Sequence, residues 1–261
     1  MVFITLLHKN ATGLASTSDK ADPSSSTACT TTVFPIGMVI DGACDVEWLN
    51  HIEDIRASLP LDSKRPTVDR RFFADHSQRR TIVGVIEDKV KDAIMTTSCQ
   101  GNYYGKKQTD SVLLVHCNNY LRILEYSKPG SGLAPHTDGT KVCERVGHKS
   151  THTLLLFLSD CPKGGETVLL DGKVGWSAHQ QVVVPPERVL HPNSSEQQLL
   201  LLDMTDGDDA SNVSVGVSPQ IGRILFFPHE WPHAGAVCES VPKVMLRAEL
   251  TVQWTSHRKE V

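Results

Sequence analysis

Two short segments of the sequence carry residues that could bind a metal ion. APHTDG, residues 134–139, places His136 two positions before Asp138, and FFPHEWPHAG, residues 226–235, contains His229 and His233. On an extended strand the side chains at i and i+2 point to the same face, so His136 and Asp138 can reach one ion. Two imidazoles and one carboxylate leave open positions on Fe(II) for a cosubstrate and oxygen. The pair therefore predicts a metal site that needs a third ligand, His229 or His233.

The elements expected to position these residues are two helices followed by many short strands. Apolar residues recur every three or four positions over 46–59 and 82–94, which predicts amphipathic helices; Asp45 can cap the first, and Pro60 ends it. From residue 112 onward, short apolar segments bounded by Gly, Pro and Asp predict strands: VLLVHC, YLRILEYS, HTLLLFLSD, ETVLL, QVVV, GRILFFP and VMLRAELTVQW. Strands after a helical lead favour a sandwich or a jelly roll.

Composition divides the chain into three parts. Residues 9–32 are mostly Ser, Thr, Ala and Asp, so we expect residues 1–32 to be a disordered or adaptable tail. Residues 33–111 are expected to form a helical support region, and residues 112–261 the main β domain. Within that domain, residues 171–217 are interpreted as a long acidic insertion, in which QQLLLL is one strand or a short helix.

Charge and cysteine content exclude several classes of partner. A net charge of -4 and a pI near 6.3 provide no basic field for nucleic acid or for a membrane surface. Seven cysteines, without a C-x-x-C pair, indicate reduced thiols and a cytoplasmic or nuclear protein. The opening MVFITLLHKN lacks a basic region before its apolar run, so we expect a non-secreted protein. No segment approaches the roughly 18 to 20 apolar residues that span a bilayer.

Four ordered sequence blocks resemble the prolyl 4-hydroxylase-like branch of the iron(II)- and 2-oxoglutarate-dependent dioxygenases. The blocks are LRILEYSKPGSGLAPHTDG, HTLLLFLSDCPKGGETVLL, VSPQIGRILFFPHEWPHAG and KVMLRAEL, and the resemblance covers about residues 112–255. It implies a mainly β (α+β) fold with N-terminal helices and a double-stranded β-helix core of the jelly-roll or cupin-like type. It also implies Fe(II), 2-oxoglutarate as cosubstrate, O2, and ascorbate as an accessory cofactor.

The same resemblance implies which residues hold the metal. In that family the His-x-Asp pair and a distal histidine bind the iron, and glycine follows the distal histidine two residues on. His233 is followed in this way by Gly235, whereas His229 is not. The resemblance therefore implies His136, Asp138 and His233 as both the metal ligands and the catalytic centre.

Cosubstrate contacts are implied in the same way. The family's basic residue for the distal carboxylate of 2-oxoglutarate lies about ten positions after the distal histidine, which corresponds to Lys243. Arg247 lies four residues further on the same strand face and is the alternative anchor. Tyr126 resembles the family's hydrogen-bonding tyrosine. Its companion tyrosine is replaced here by Phe157, and Thr153 is the substitute we consider.

The implied reaction hydroxylates a C–H bond and releases succinate and CO2. A peptidyl proline or another protein side chain is the first substrate that the resemblance suggests, and a free amino acid or small natural product is the alternative. Two rivals come from other classes. One is a metal-binding jelly roll without catalysis, and the other is a zinc hydrolase that uses the same three ligands, with Glu230 as its base.

Overall fold

The computed structural model describes residues 3–11, 32–64, 68–73, 76–98, 111–118, 120–142, 147–170, 182–191 and 213–255. The helices are α1 Val46–Ser58 and α2 His76–Ser98. The strands are β1 Phe3–Ala11, β2 Thr32–Asp41, β3 Asp69–Phe72, β4 Ser111–Cys117, β5 Arg122–Tyr126, β6 Leu133–His136, β7 His152–Phe157, β8 Thr167–Leu170, β9 Val189–Leu190, β10 Val213–Val217, β11 Ile224–Pro228, β12 His233–Gly235 and β13 Lys243–Thr255. Neither helix is long and apolar enough to cross a membrane.

The strands form two facing sheets. The larger sheet has the order β1-β2-β11-β7-β13-β5-β3, and β4 pairs with the second half of the long strand β13. The smaller sheet has the order β6-β12-β8-β10-β9, in which only β9 and β10 are parallel. One apolar cluster fills the space between the sheets. The predicted fold class, mainly β with N-terminal helices and a jelly-roll core, is confirmed.

Strand β7 shows why its sequence is apolar throughout. Its residues alternate between two faces, as in any strand. Leu154 and Leu156 belong to a core cluster that also contains Ile86 of α2, and Leu155 and Phe157 belong to the cluster between the sheets. All four side chains are buried. The helices thus cover one face of the larger sheet and leave the other face for the site.

Helix α1 begins and ends where its sequence predicts. The carboxylate of Asp45 accepts a hydrogen bond from the backbone N–H of Trp48 at 2.7 Å, which is N-cap geometry. The last helical residue is Ser58, and Leu59 is extended before Pro60, as expected for a residue that precedes proline. Ile52 and Ile55 are buried on the inner face of the helix.

The N-terminal region differs from the sequence-based division. Residues 3–11, which we assigned to a tail, form β1 and pair with β2. Backbone pairing in a sheet does not require the composition of a packed core, and composition was the criterion for the tail. The region assigned as helical support contributes β2 and β3 to the larger sheet. Residues 12–31 lie outside the described residues, and the domain limits stay a prediction.

The region interpreted as an insertion also contains sheet structure. Strand β10, at the C-terminal end of this region, pairs with β8, and β9 pairs with β10. Both strands therefore belong to the smaller sheet. QVVV was predicted to be a strand, but Val182–Val184 have no strand assignment and Val183 is exposed. The segment QQLLLL lies outside the described residues.

An ion pair between a buried arginine and a partly exposed aspartate connects the two sheets near the end of β2. The guanidinium of Arg223 is fully buried, and its Nε donates to Asp41 Oδ1 at 2.6 Å. Its Nη1 donates to the carbonyl oxygens of Leu190 and Ser218 at 3.1 and 3.0 Å. Because Asp41 belongs to the larger sheet and Leu190 to the smaller one, the arginine fixes their separation at this end.

Substitution of Gly164 is expected to destabilise the fold. Gly164 has a φ of +70°, and a Cβ atom there would lie 2.1 Å from the carbonyl oxygen of Val237. Gly164→Ala should lower the free energy of unfolding by about 2–4 kcal/mol, because the left-handed conformation and the clash are both unfavourable. Urea denaturation followed by circular dichroism measures the change.

Gly84 provides the matched control. It lies inside α2, and a Cβ atom there would meet nothing within 4 Å. Gly84→Ala should therefore leave the stability unchanged or raise it by up to about 1 kcal/mol. Equal effects of the two alanine substitutions would contradict the structural reason given for Gly164.

Candidate metal centre

Three side chains converge at the open edge of the smaller sheet. His136 ends β6, Asp138 lies in the segment after it, and His233 begins β12; His136 and His233 are paired partners across the two strands. One ligand atom from each residue lies within 4.8 Å of the others. Asp138 Oδ1 is 3.7 Å from His136 Nε2, and Asp138 Oδ2 is 3.4 Å from His233 Nε2. The structure therefore brings together the three residues expected as ligands.

The histidine rings are held in the orientation that metal binding requires. His136 Nδ1 lies 2.9 Å from the carbonyl oxygen of Ala134, and His233 Nδ1 lies 3.0 Å from that of Trp231. A carbonyl oxygen can only accept, so each Nδ1 carries the proton and each Nε2 directs its lone pair into the site. Burial, followed by the proximity of His136, lowers the pKa of His233 to about 4. The His233 imidazole is therefore neutral and can bind a metal at neutral pH.

Asp138 is fixed by donors to both of its oxygens. Its backbone N–H donates to the carbonyl oxygen of His229 at 3.0 Å. Thr153 Oγ1 donates to Asp138 Oδ2 at 2.6 Å, and Arg247 Nη2 donates to Asp138 Oδ1 at 2.6 Å. Each carboxylate oxygen has a second lone pair, so these bonds orient the group without preventing it from binding an ion.

A buried polar network lies behind Asp138. His229 Nδ1 is 2.9 Å from Thr153 Oγ1, and His229 Nε2 is 2.8 Å from Ser150 Oγ and 3.2 Å from Glu249 Oε2. Burial, followed by the charge of Asp138, raises the pKa of Glu249 to about 7. His229 thus supports the aspartate from behind, whereas His233 completes the group of three.

A cavity of about 250 Å³ adjoins the three residues, and Lys243 and Tyr126 are among its lining residues. Lys243 is only 2% exposed, and its Nζ lies 5.4 and 5.9 Å from the ring centroids of Tyr126 and Phe157. Within the described part of the chain, no carboxylate lies within ion-pair distance of this ammonium. Burial lowers the pKa of Lys243 to about 8, although Cys238, Cys161 and Glu166 act in the opposite direction.

The residues expected to contact the cosubstrate have different surroundings. Tyr126 is buried in the cavity wall, and burial raises its pKa. The hydroxyl of Thr153 donates to Asp138, and its contact with the cosubstrate stays a prediction. Arg247 pairs with both Asp138 and Glu249, the second at 3.0 Å. Arg247 is thus engaged by two carboxylates, whereas Lys243 has no carboxylate partner among the described residues, and the choice of anchor stays a prediction.

One residue that lines the cavity, Arg122, was not predicted from the sequence, and one residue considered from the sequence, Glu230, lies in a less suitable position for a catalytic base. Arg122 lines the cavity beside Leu124 and Tyr126, and alternate residues of β5 share one face. The spacing of Arg122 from Tyr126 in YLRILEY could have indicated this position. Glu230, kept as the base of a zinc hydrolase, is exposed.

Comparisons with known proteins concern the fold. No protein-family model and no curated protein matches the sequence. Similar solved structures include an oxidoreductase of the 2OG-Fe(II) oxygenase family from Burkholderia pseudomallei, with 12% identity over 80% of each chain and a TM-score of 0.47. The viral collagen prolyl hydroxylase of Paramecium Bursaria Chlorella virus-1 has 14% identity over 81% of this chain and 93% of that chain, with a TM-score of 0.46. HygX from Streptomyces hygroscopicus, solved with nickel, 2-oxoglutarate and hygromycin B, has 13% identity over 82% of each chain and a TM-score of 0.47. Identities this low do not assign an activity to this chain.

Proposed function

We propose that this chain is an Fe(II)- and 2-oxoglutarate-dependent dioxygenase that hydroxylates a C–H bond. The observation that carries the proposal is the buried Lys243, which has no carboxylate partner among the described residues and lines a cavity that also opens onto a cluster of two histidines and one aspartate. An isolated buried ammonium is costly unless a counter-charge accompanies it. A dicarboxylate that reaches from the cluster to Lys243 supplies that counter-charge.

The donor set fits Fe(II). His136, Asp138 and His233 would hold the ion through two neutral imidazoles and one carboxylate, the combination found in non-haem Fe(II) oxygenases. When bound with 2-oxoglutarate and O2, the iron supplies an oxidant for C–H hydroxylation, with release of succinate and CO2. Ascorbate is included in this proposal as an accessory cofactor, on the basis of the sequence resemblance.

The chain's own residues bind and orient the reactants. Lys243 binds the distal carboxylate of the cosubstrate, and the buried Tyr126 hydroxyl lies on the same wall of the cavity. Leu124, Leu155 and Met245 provide an apolar lining that limits water beside the reacting groups. Arg247 and Thr153 keep the carboxylate of Asp138 in one orientation.

A peptidyl proline or another protein side chain is the first substrate we propose, because the sequence blocks resemble the prolyl 4-hydroxylase-like branch. A free amino acid or small natural product is the alternative, since one fold supports many substrates. Succinate formation across proline-rich peptides and a metabolite panel, with ascorbate present, distinguishes the two. Coupled turnover with free small molecules alone would replace the first proposal with the second.

An anaerobic titration tests the reaction class. The protein is titrated with Fe(II) and then with 2-oxoglutarate, and the weak visible charge-transfer band of the chelate is followed. We expect a band that requires both components and is absent from Asp138→Ala. A protein that binds Zn(II) and shows no band with Fe(II) and 2-oxoglutarate would instead be a hydrolase or a non-catalytic metal protein.

Affinity for 2-oxoglutarate should depend on the protonation of Lys243. The pKa of this lysine in the unliganded protein is about 8, so its ammonium is present below that pH and lost above it. The dissociation constant for 2-oxoglutarate should be nearly constant below pH 8 and should rise about tenfold per pH unit above it. Calorimetric titration of the Mn(II)-loaded protein at several pH values measures this dependence.

Lys243→Arg is the control for the pH dependence. A guanidinium keeps its charge throughout this range, so the rise above pH 8 should disappear even where the longer side chain lowers the affinity. If the arginine variant follows the same pH curve as the unmodified protein, another group controls binding.

A further inference from the structure

We propose that the substrate presents a carboxylate group and that Arg122 binds it. The inference rests on the proposed function for the reaction. The residue that carries it, Arg122, belongs neither to the proposed metal ligands nor to the proposed cosubstrate anchor. It specifies the substrate by the charge of the cavity rather than by resemblance to any family.

The cavity contains more positive charge than the proposed cosubstrate and metal ligands require. Apart from Arg70, which has an interaction of its own, its basic lining residues are Arg122, Lys243 and Arg247. Two carboxylates compensate part of this charge, because Asp138 lines the cavity and Glu249 pairs with Arg247 at 3.0 Å. A bound divalent metal adds two positive charges, and 2-oxoglutarate adds only two negative charges. Filling the site as proposed therefore leaves an excess of positive charge in a partly desolvated space, which favours an anionic third component.

Arg122 is the cation best placed to receive that component. Arg247 already contacts Asp138 and Glu249, and Lys243 lies where the cosubstrate's distal carboxylate would bind. In the described part of the chain, no carboxylate lies within ion-pair distance of Arg122. A guanidinium offers two parallel N–H donors to a carboxylate and remains charged when buried.

Strand register places Arg122 at the metal end of the cavity. Arg122 and Arg247 are direct partners across β5 and β13, whereas Lys243 is the partner of Tyr126 at the other end of the paired segment. Four residues of strand separate the two ends, about 13 Å at ~3.3 Å per residue. Because Arg247 touches Asp138, the Arg122 end is the one near the reacting atoms.

Two cations that face each other across a strand pair also need compensation. Like charges at directly opposite positions destabilise a sheet. Asp138 and Glu249 compensate Arg247 through direct contacts, whereas Arg122 has no such contact among the described residues. A substrate carboxylate beside Arg122 would neutralise this charge when the substrate binds. Arg122 would therefore select substrates that carry a carboxylate.

The required carboxylate has two sources. One is the α-carboxylate of a free amino acid, and the other is the side chain of an acidic residue next to the target in a peptide. An uncharged prolyl side chain without a neighbouring carboxylate would leave Arg122 without a partner. Both sources offer the same carboxylate group, but a free amino acid is smaller than a peptide. Matched pairs of probes, one pair of each kind, therefore distinguish the two sources.

The experiment measures binding to protein held with Mn(II) and 2-oxoglutarate under anaerobic conditions. The probes are L-proline against L-prolinamide, and acetyl-Asp-Pro-amide against acetyl-Asn-Pro-amide. We expect the carboxylate member of at least one pair to bind about tenfold or more tightly than its amide partner. Arg122→Gln should remove that preference, and the pair that shows it identifies the source of the carboxylate.

Lys128→Gln is the matched control, because Lys128 is an exposed cation outside the cavity lining. This variant should retain the preference for the carboxylate probe. The inference is overturned if neither carboxylate probe binds more tightly than its amide, or if Arg122→Gln retains the preference. Binding of 2-oxoglutarate itself is measured first. If 2-oxoglutarate does not bind, the proposed function fails; if it binds and the probes show no Arg122-dependent preference, only the present inference fails.

Discussion

Replacement of His136, Asp138 or His233 by alanine should abolish Fe(II)-dependent turnover and strongly weaken metal binding. Among the described residues, each of these supplies one of the three ligand atoms that lie within 4.8 Å of one another. Loss of a group that merely orients a ligand weakens metal binding by about 10–100-fold, so loss of a ligand itself should exceed that range. Metal content after gel filtration and equilibrium titration with Mn(II) measure the effect without relying on activity.

His229→Ala is the control for these variants. His229 contacts Thr153, Ser150 and Glu249 and is not one of the three converging ligands. Its removal should lower stability by about 1–3 kcal/mol, because buried partners lose their hydrogen bonds. Metal should still bind and most turnover should remain below the melting temperature, because the groups that contact Asp138 directly, the backbone carbonyl of residue 229, Thr153 and Arg247, are all retained. If His229→Ala loses the metal and His233→Ala keeps it, the distal ligand is His229.

Replacement of Lys243 by methionine should raise the Michaelis constant for 2-oxoglutarate by about tenfold or more, since hydrogen bonds to charged groups contribute ~1.5–3 kcal/mol. Methionine retains the apolar length of the side chain and removes only its charge. A buried ammonium without a counter-charge is unfavourable, and Lys243 has no carboxylate partner in the part of the chain that the structure describes, so we expect this variant to be at least as stable as the unmodified protein. Steady-state assays and thermal melting together separate loss of binding from loss of folding.

Arg247→Ala should have a different signature. Arg247 contacts the proposed metal ligand Asp138 at 2.6 Å, so its removal should weaken metal binding by about 10–100-fold. Any increase in the Michaelis constant for 2-oxoglutarate should become smaller when the metal is saturating. If only Arg247→Ala raises that constant at saturating metal, then Arg247 and not Lys243 is the cosubstrate anchor.

Local patterns in the sequence predict the elements that rely on local interactions. The cap at Asp45 and the apolar spacing in α1 involve residues a few positions apart, and both are found as predicted. The continuous apolar run of β7 follows from burial on two faces. The two candidate histidines could be separated only by resemblance, because the choice depends on which one faces β6.

Features that depend on strand pairing could not be predicted from the sequence. Arg122 and Arg247 become neighbours only through the register between β5 and β13, which local composition does not encode. Thr153 has an aspartate within reach because β7 lies opposite the segment after β6. Strand β10 was missed because VSVGV has few large apolar residues, although its pairing with β8 buries it in the smaller sheet.

The short pairing between β6 and β12 has a consequence for the dynamics of the site. β12 has only three residues, its register with β6 shifts after His233, and β6 is the edge of its sheet. Edges with few backbone hydrogen bonds open at lower free energy than the core. A metal that binds only the closed form would act as a staple across this edge and stabilise it by about 2.7 kcal/mol at a concentration one hundred times its dissociation constant. Amide hydrogen exchange at β6 and β12 would then slow on metal binding, whereas exchange in β7 would change little.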